Sequence, residues 1–192
     1  MKALIFDTET TGKWNFKAPY DHPSQPNLMQ LALILENMET GVPHARADLL
    51  VDTEGRWKPE PGALAVHGIS EERADQFGVL LGNACYLFRN LVEQADVVVA
   101  HNMDFDRRIM ERALLLADIP PIPWDQVKQR CTMKTATPIC KIPGTRGFKW
   151  PSLEECLQHF TGKSVANAHD AMADAQACRT IHRHLHQMGV FA

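Results

Sequence analysis

The order of apolar runs predicts an α/β fold built on a mixed sheet. Three strand-like segments lie in the first 52 residues, and helical and strand patterns alternate after them. The third observation is size. A chain of 192 residues with 45% hydrophobic and 22% charged content is an ordinary globular sequence, long enough to bury a sizeable core. No repeat, low-complexity block or long linker divides it, so residues 1–192 read as a single domain.

The first strand is Ala3 to Phe6, an apolar run that ends in Asp7 and Glu9. Alternate residues of a strand share a face, so the two carboxylates emerge side by side and repel unless a cation sits between them. Residues 13–27, KWNFKAPYDHPSQPN, are rich in proline and turn formers and read as a loop. LMQLALILE (28–36) is the nearly continuous apolar run of a strand buried on both faces. GVPHA turns the chain, ADLLVD (47–52) forms a third strand, and Pro59 and Pro61 interrupt the next segment. Residues 79–94 carry apolar side chains at helical spacing. VVVA (97–100) is a short β-branched strand ending in HNMDFD, and a helix follows from Phe105 to Leu116. A strand is expected near Lys128–Thr132, then a basic loop containing Pro and Gly. PSLEECLQHF reads as a helix with Pro151 in its first turn and Ser152 near the cap. The last helix, about Asp170 to Met188, is opened by HDAMAD.

A net charge of −3 gives the whole chain no attraction for nucleic acid. Residues 126–150, however, hold six basic residues (Lys128, Arg130, Lys134, Lys141, Arg146, Lys149) and no acid. The five cysteines (85, 131, 140, 156 and 178) are odd in number and form no CxxC pair. That argues against a disulfide framework or a thiolate zinc site and fits a reducing compartment. The N-terminus lacks a signal-peptide core and no stretch approaches a membrane span, so no membrane association and a cytoplasmic location are expected.

Acids gather at three stations: Asp7 with Glu9; Asp104 or Asp106, just beyond VVVA; and His169 with Asp170 and Asp174 in HDAMAD. Two of the three follow apolar strands of the sheet core. Carboxylates placed there are costly unless they coordinate a metal. Oxygen ligands without cysteine suit Mg²⁺ or Mn²⁺. Several carboxylates hold two such ions about 3.5–4 Å apart, the geometry of in-line phosphoryl displacement. His169 suits the role of general base, because an unperturbed imidazole titrates near working pH.

FDTETTG, AHNMDFD and HDAMAD, in that order, resemble the three motifs of the DEDDh (DnaQ-like) 3′–5′ exonuclease superfamily. Its members include the proofreading subunit of bacterial DNA polymerase III and stand-alone relatives. The resemblance runs from Leu4 to about His186 and extends to HGIS (67–70) and a strand-like RCTMKTA (130–136). It implies a ribonuclease H-like fold, a mixed five-stranded sheet flanked by helices. It also implies metal ligands Asp7, Glu9, Asp106 and Asp174, with His169 as general base. The expected reaction is two-metal hydrolysis at the 3′ ends of single-stranded nucleic acid, DNA favoured, with a 3′–5′ exoribonuclease of the same fold as the alternative. Where many relatives have Leu after TTG, this chain has Lys13 and Trp14.

Substrate contacts are expected at Thr10, Thr11 and Gly12, whose small-residue turn permits close approach, and at Trp14, by stacking on a base or by packing in its own loop. His67 resembles a substrate-pocket position, and Asn102 is placed to bind phosphate or, better, to brace the acids. The basic 126–150 segment reads as a phosphate-facing surface. His182, His184 and His186 read as a solvated helical surface, since no Cys or acid completes a ligand set there. The chain ends without a polymerase- or clamp-binding tail, so a stand-alone nuclease is expected. Two rivals are carried: a haloacid-dehalogenase-type phosphatase, from LIFDTET and Asp170-x-x-x-Asp174, and a nucleic-acid-binding module that has lost catalysis.

Overall fold

The computed structural model describes residues 1–191. Its central strand, β1 (Lys2–Thr10), is lined by Ala3, Leu4, Ile5 and Phe6, all fully buried. It does not end at the acids. Asp7 and Glu9 stay paired with Ala32 and Gln30 of β2 (Leu28–Asn37), and a register irregularity falls only between Glu9 and Thr10.

The third strand, β3 (Pro43–Leu50), begins earlier than expected, and the turn before it closes at Gly41. GVPHA therefore supplies strand residues. Proline is tolerated because β3 is an edge strand, and its inward-packed residues, Ala45, Ala47, Leu49 and Leu50, are only partly buried, so its apolar signal is thin.

The proline-interrupted segment forms two short helices, α1 (Pro61–His67) and α2 (Glu71–Phe77). Pro61 stands at the helix start, where its missing N–H costs nothing. No residue of α1 is buried, so it offers no apolar stripe to read. Next come α3 (Leu81–Gln94), β4 (Val97–Ala100), α4 (Met103–Leu116) and β5 (Gln129–Cys131).

The expected strand-like character of 130–136 stops at Cys131. Thr132 opens α5 (Thr132–Cys140), which overrides its threonines and Pro138 by burying Met133 and Ala136. A small hairpin, β6 (Pro143–Gly144) and β7 (Gly147–Phe148), leads to α6 (Leu153–Thr161) and α7 (Ala171–Gln187). Pro151 precedes the cap of α6 and is not in its first turn. Ser152 is the cap, in a capping box with Glu155.

The main sheet has the order β3-β2-β1-β4-β5, with β1–β2 and β2–β3 antiparallel and β1–β4 and β4–β5 parallel. This is the mixed five-stranded sheet. On one face Leu4, Phe6, Leu31, Leu33 and Val98 pack against α3 and α4. On the other, Ala3, Ile5, Ala32, Ile34, Val97 and Val99 meet α7 through its small residues Ala171, Ala175 and Cys178.

His182, expected in solvent, is fully buried on α7. Its Nε2 lies 3.1 Å from Arg130 Nη1, and Arg130 also donates to the carbonyl of Phe191 and sits over the Phe191 ring. Arg130 is therefore removed from the expected phosphate-facing surface.

Candidate active site

The two sheet faces converge on the end of β1. Asp7 and Glu9 alternate with Ala3 and Ile5, so they project on the α7 side, and Asp174 stands in the first turn of α7. Asp106 arrives from the opposite layer, in the first turn of α4, and is 3% exposed. Thr8, which alternates with the acids, donates its hydroxyl to Asp106 Oδ1 at 2.8 Å and so binds the two layers together.

The ambiguous pairs separate in space. Asp104 is exposed and ion-paired with Lys134, whereas Asp106 turns inward. Asp170 is the N-cap of α7, accepting from the Ala173 N–H at 3.0 Å, and Asp174 faces Glu9 and His169. One ligand atom each from Glu9, His169 and Asp174 lie within 4.8 Å of one another. His169 is exposed, in a left-handed conformation (φ 69°), and its backbone N–H donates to Asp174 Oδ2 at 3.3 Å.

The electrostatics are those of crowded anions. Burial, then the charges of Asp106, Asp174, Glu9 and Asp170, pushes the Asp7 carboxyl well above the usual carboxylate range. Burial, then Asp174, Asp106 and Asp170, raises Glu9 to about 8. Asp106 is raised to about 7 by burial, against the opposing Thr8 hydrogen bond. Asp174 is raised chiefly by burial, and its Oδ1 is buried without a hydrogen-bond partner. An orphaned carboxylate oxygen among repelling carboxylates, beside an imidazole, fits a hard divalent cation.

The remaining expectations divide. Thr10 and Gly12 line a cavity of about 410 Å³ with Glu9, Lys13, Val66 and His67. The hydroxyls of Thr10 and Thr11 are already engaged, Thr10 donating to the Gly12 carbonyl and Thr11 accepting from the Asn27 N–H. Both threonines are 6% exposed, so their side chains hold the turn and do not reach outward. Gly12 lies so close to Glu60 that an added Cβ would fall 2.7 Å from its carboxyl carbon.

His67 Nδ1 accepts from the Ile69 N–H, so Nε2 carries the proton and donates to the Thr10 carbonyl at 3.1 Å. Trp14, expected as a stacking surface or a packed loop residue, is packed: it is buried edge-on against Tyr20. Asn102 adopts a left-handed conformation at the start of α4 and makes no side-chain cap. Its neighbour His101 bridges Thr132 Oγ1 and the Pro151 carbonyl and so ties the end of β4 to the approach to α6, with no hydrogen bond to the acids.

Sequence reasoning missed two supporting residues. One is Thr8. The other is Gln30, paired with Glu9, whose amide donates to Asp48 and Asp170 and whose oxygen accepts from the Ala171 N–H. It ties the start of α7 to the sheet. The signal was its being the one polar residue of the run LMQLALIL.

With this geometry in hand, comparison with known proteins is decisive for the family. The family model described as Exonuclease (RNase_T) matches residues 4–181. The chain belongs to that exonuclease family. Among curated proteins none matches its sequence.

Solved structures do. Escherichia coli exonuclease I in complex with a dT13 oligonucleotide superposes with a TM-score of 0.77 at 20% identity, over 99% of this chain and 42% of that one. The zinc-ion-bound form of the E. coli exonuclease I–single-stranded DNA complex gives 0.78 at 21% identity, over 97% and 40%. Product-bound exonuclease I gives 0.77 at 19% identity, over 97% and 43%. These likenesses establish the ribonuclease H-like fold, and the chain spans less than half the length of exonuclease I. Among the described residues no helix is long and apolar enough to cross a membrane.

Proposed function

We propose that this protein is a divalent-metal-dependent 3′–5′ exonuclease that shortens single-stranded nucleic acid, DNA favoured, and that residues 1–192 act as one exonuclease domain. The observation that carries the reading is the gathering of Asp7, Glu9, Asp106 and Asp174, with no cationic side chain among the charges acting on Asp7 and Glu9 and with one oxygen of Asp174 left unpartnered. Family membership and the single-stranded oligonucleotides bound by exonuclease I support it.

In this reading the four carboxylates hold Mg²⁺ or Mn²⁺, two ions per site. Bound there, the ions supply charge neutralisation at the phosphodiester and acidify water. His169 takes the proton of the attacking water. Its exposed, strained loop position lets the ring move, while its backbone N–H stays on Asp174. Thr8 and Gln30 keep the two helix layers in register with β1. The cavity beside Glu9, walled by Thr10, Gly12 and His67, takes the terminal nucleotide. Burial disfavours protonation of His67, which steadies the turn through its bonds to the Thr10 carbonyl and the Ile69 N–H.

Membership of the exonuclease family, and an Asp106 that the phosphatase scheme does not use, leave the haloacid-dehalogenase reading without support. The test is incubation of 5′-labelled single-stranded DNA and matched RNA with Mg²⁺. A ladder shortening from the 3′ end is expected, faster on DNA. An undiminished full-length band with metal present leaves only the binding module.

A further inference from the structure

The hairpin before α6 carries two large aromatic rings that the core does not use. Phe148 is 53% exposed and Trp150 63%. They are alternate residues of an extended segment, paired Pro143 to Phe148 and prolonged by the Lys149 N–H donating to the Ile142 carbonyl. They therefore share a face. Lys149, between them, turns the other way to pair with Glu155. All residues from Pro143 to Trp150 are exposed, with Arg146 on the ribbon and Lys141, at the end of α5 just before it, adding positive charge.

The ribbon is fastened to the site. The carbonyl of Pro151, next to Trp150, accepts from His101 Nε2 at 3.1 Å, and His101 opens the segment that leads to Asp106. On the other side, Glu154 accepts from the Val165 N–H at 2.7 Å and so holds the loop that carries His169. The segment that follows the aromatic residues is thus tied by hydrogen bonds to the elements that carry the second and third acidic stations.

We infer that Phe148 and Trp150 form a stacking platform for unpaired bases of the substrate strand. The inference rests on the nuclease reading and adds to it the feature that selects single strands. Every base presents a flat face to an aromatic ring, while a duplex hides that face in its own stack. Lys141 and Arg146 meet the phosphates on either side, so sequence plays no part.

The test is fluorescence anisotropy of a labelled oligothymidylate, and of an abasic oligonucleotide of equal length and charge, in EDTA, where no cleavage occurs. Phe148→Ala/Trp150→Ala should weaken oligothymidylate binding about 10–100-fold. Abasic binding should barely change, and the circular dichroism spectrum should match wild type. Trp150→Phe should keep most of the affinity, and Lys141→Ala/Arg146→Ala should flatten the salt dependence for both ligands.

Unchanged affinity in the double variant, an equal loss on both ligands, or a wild type that does not distinguish them overturns the platform. So does a dimer that the variant dissociates without altering binding, which would give the rings to a second copy of the chain. A protein that binds bases through this face but does not cleave them with Mg²⁺ keeps the platform and loses the nuclease reading.

Discussion

Two ends of one helix treat buried carboxylates in opposite ways. Near the end of α7, Glu36 is fully buried on the same sheet face as Asp7, and two arginines of that helix reach it, Arg179 at 2.7 Å and Arg183 at 3.4 Å. At the start of α7, Asp174 joins Asp7, Glu9 and Asp106 with no cationic side chain among the causes acting on Asp7 or Glu9. The fold can supply an arginine to a buried acid where structure is all that is required. An acid cluster left to repel itself is a site kept open for a cation that comes from solution.

The comparison breaks first on activity. Asp7→Ala and Asp174→Ala should each reduce turnover to the level of uncatalysed hydrolysis. In EDTA their melting temperatures should equal or exceed wild type, since each removes a repelling charge. Glu36→Gln should do the reverse, with turnover per folded molecule unchanged. Assays on purified variants, paired with thermal melts, separate the two ends. His169→Ala comes next. It should slow turnover by about 10²–10⁴-fold and leave metal-induced stabilisation largely intact. Full speed in that variant would remove its role as base.

Metal itself sharpens the contrast. At 100-fold over its dissociation constant, Mg²⁺ or Mn²⁺ should stabilise the wild type by about 2.7 kcal/mol, read as a raised melting temperature. Asp174→Ala should lose most of that response and Glu36→Gln none of it. The cost of Glu36→Gln is set at about 2 kcal/mol, because both arginines keep part of their hydration and charged hydrogen bonds contribute about 1.5–3 kcal/mol each. A metal response in Asp174→Ala equal to wild type would place the cation elsewhere.

How much of the molecule was legible in the sequence depends on what each residue answers to. β1, β2, β4 and α7 announce themselves because long apolar runs and helical spacing are dictated by burial. Asp106 and Asp174 could not be told from Asp104 and Asp170 by spacing. Each pair is separated by where a helix starts and what its neighbour offers: Lys134 for Asp104, the Ala173 N–H for Asp170. α1 and α5 were hidden for opposite reasons. α1 buries nothing, and α5 buries Met133 and Ala136 in spite of Pro138 and its threonines. The support given by Thr8 and Gln30 is a matter of register between strands, which a linear pattern does not carry.

The smallest expected effect concerns a third buried group on α7. His182 is held neutral by burial and by the neighbouring Arg130 charge, its pKa pushed down to about 3. In the unfolded chain an imidazole titrates near 6.5. Between those values the unfolded state binds the extra proton, so this residue's contribution is complete above about pH 6.5 and is lost as pH falls toward 3. One unit below the unfolded value the loss is about 1.4 kcal/mol. The acid cluster runs the other way in EDTA. Glu9 at about 8 and Asp106 at about 7 hold protons that the unfolded chain has released, so acidification from pH 8 stabilises that end. Thermal melts of wild type and His182→Gln across pH 5–8 isolate the histidine by difference. The gap between the two curves should change by about 1.4 kcal/mol per unit on the acid side and be flat above neutrality. A gap that does not move with pH would mean that His182 is charged in its buried position, with Arg130 paired elsewhere.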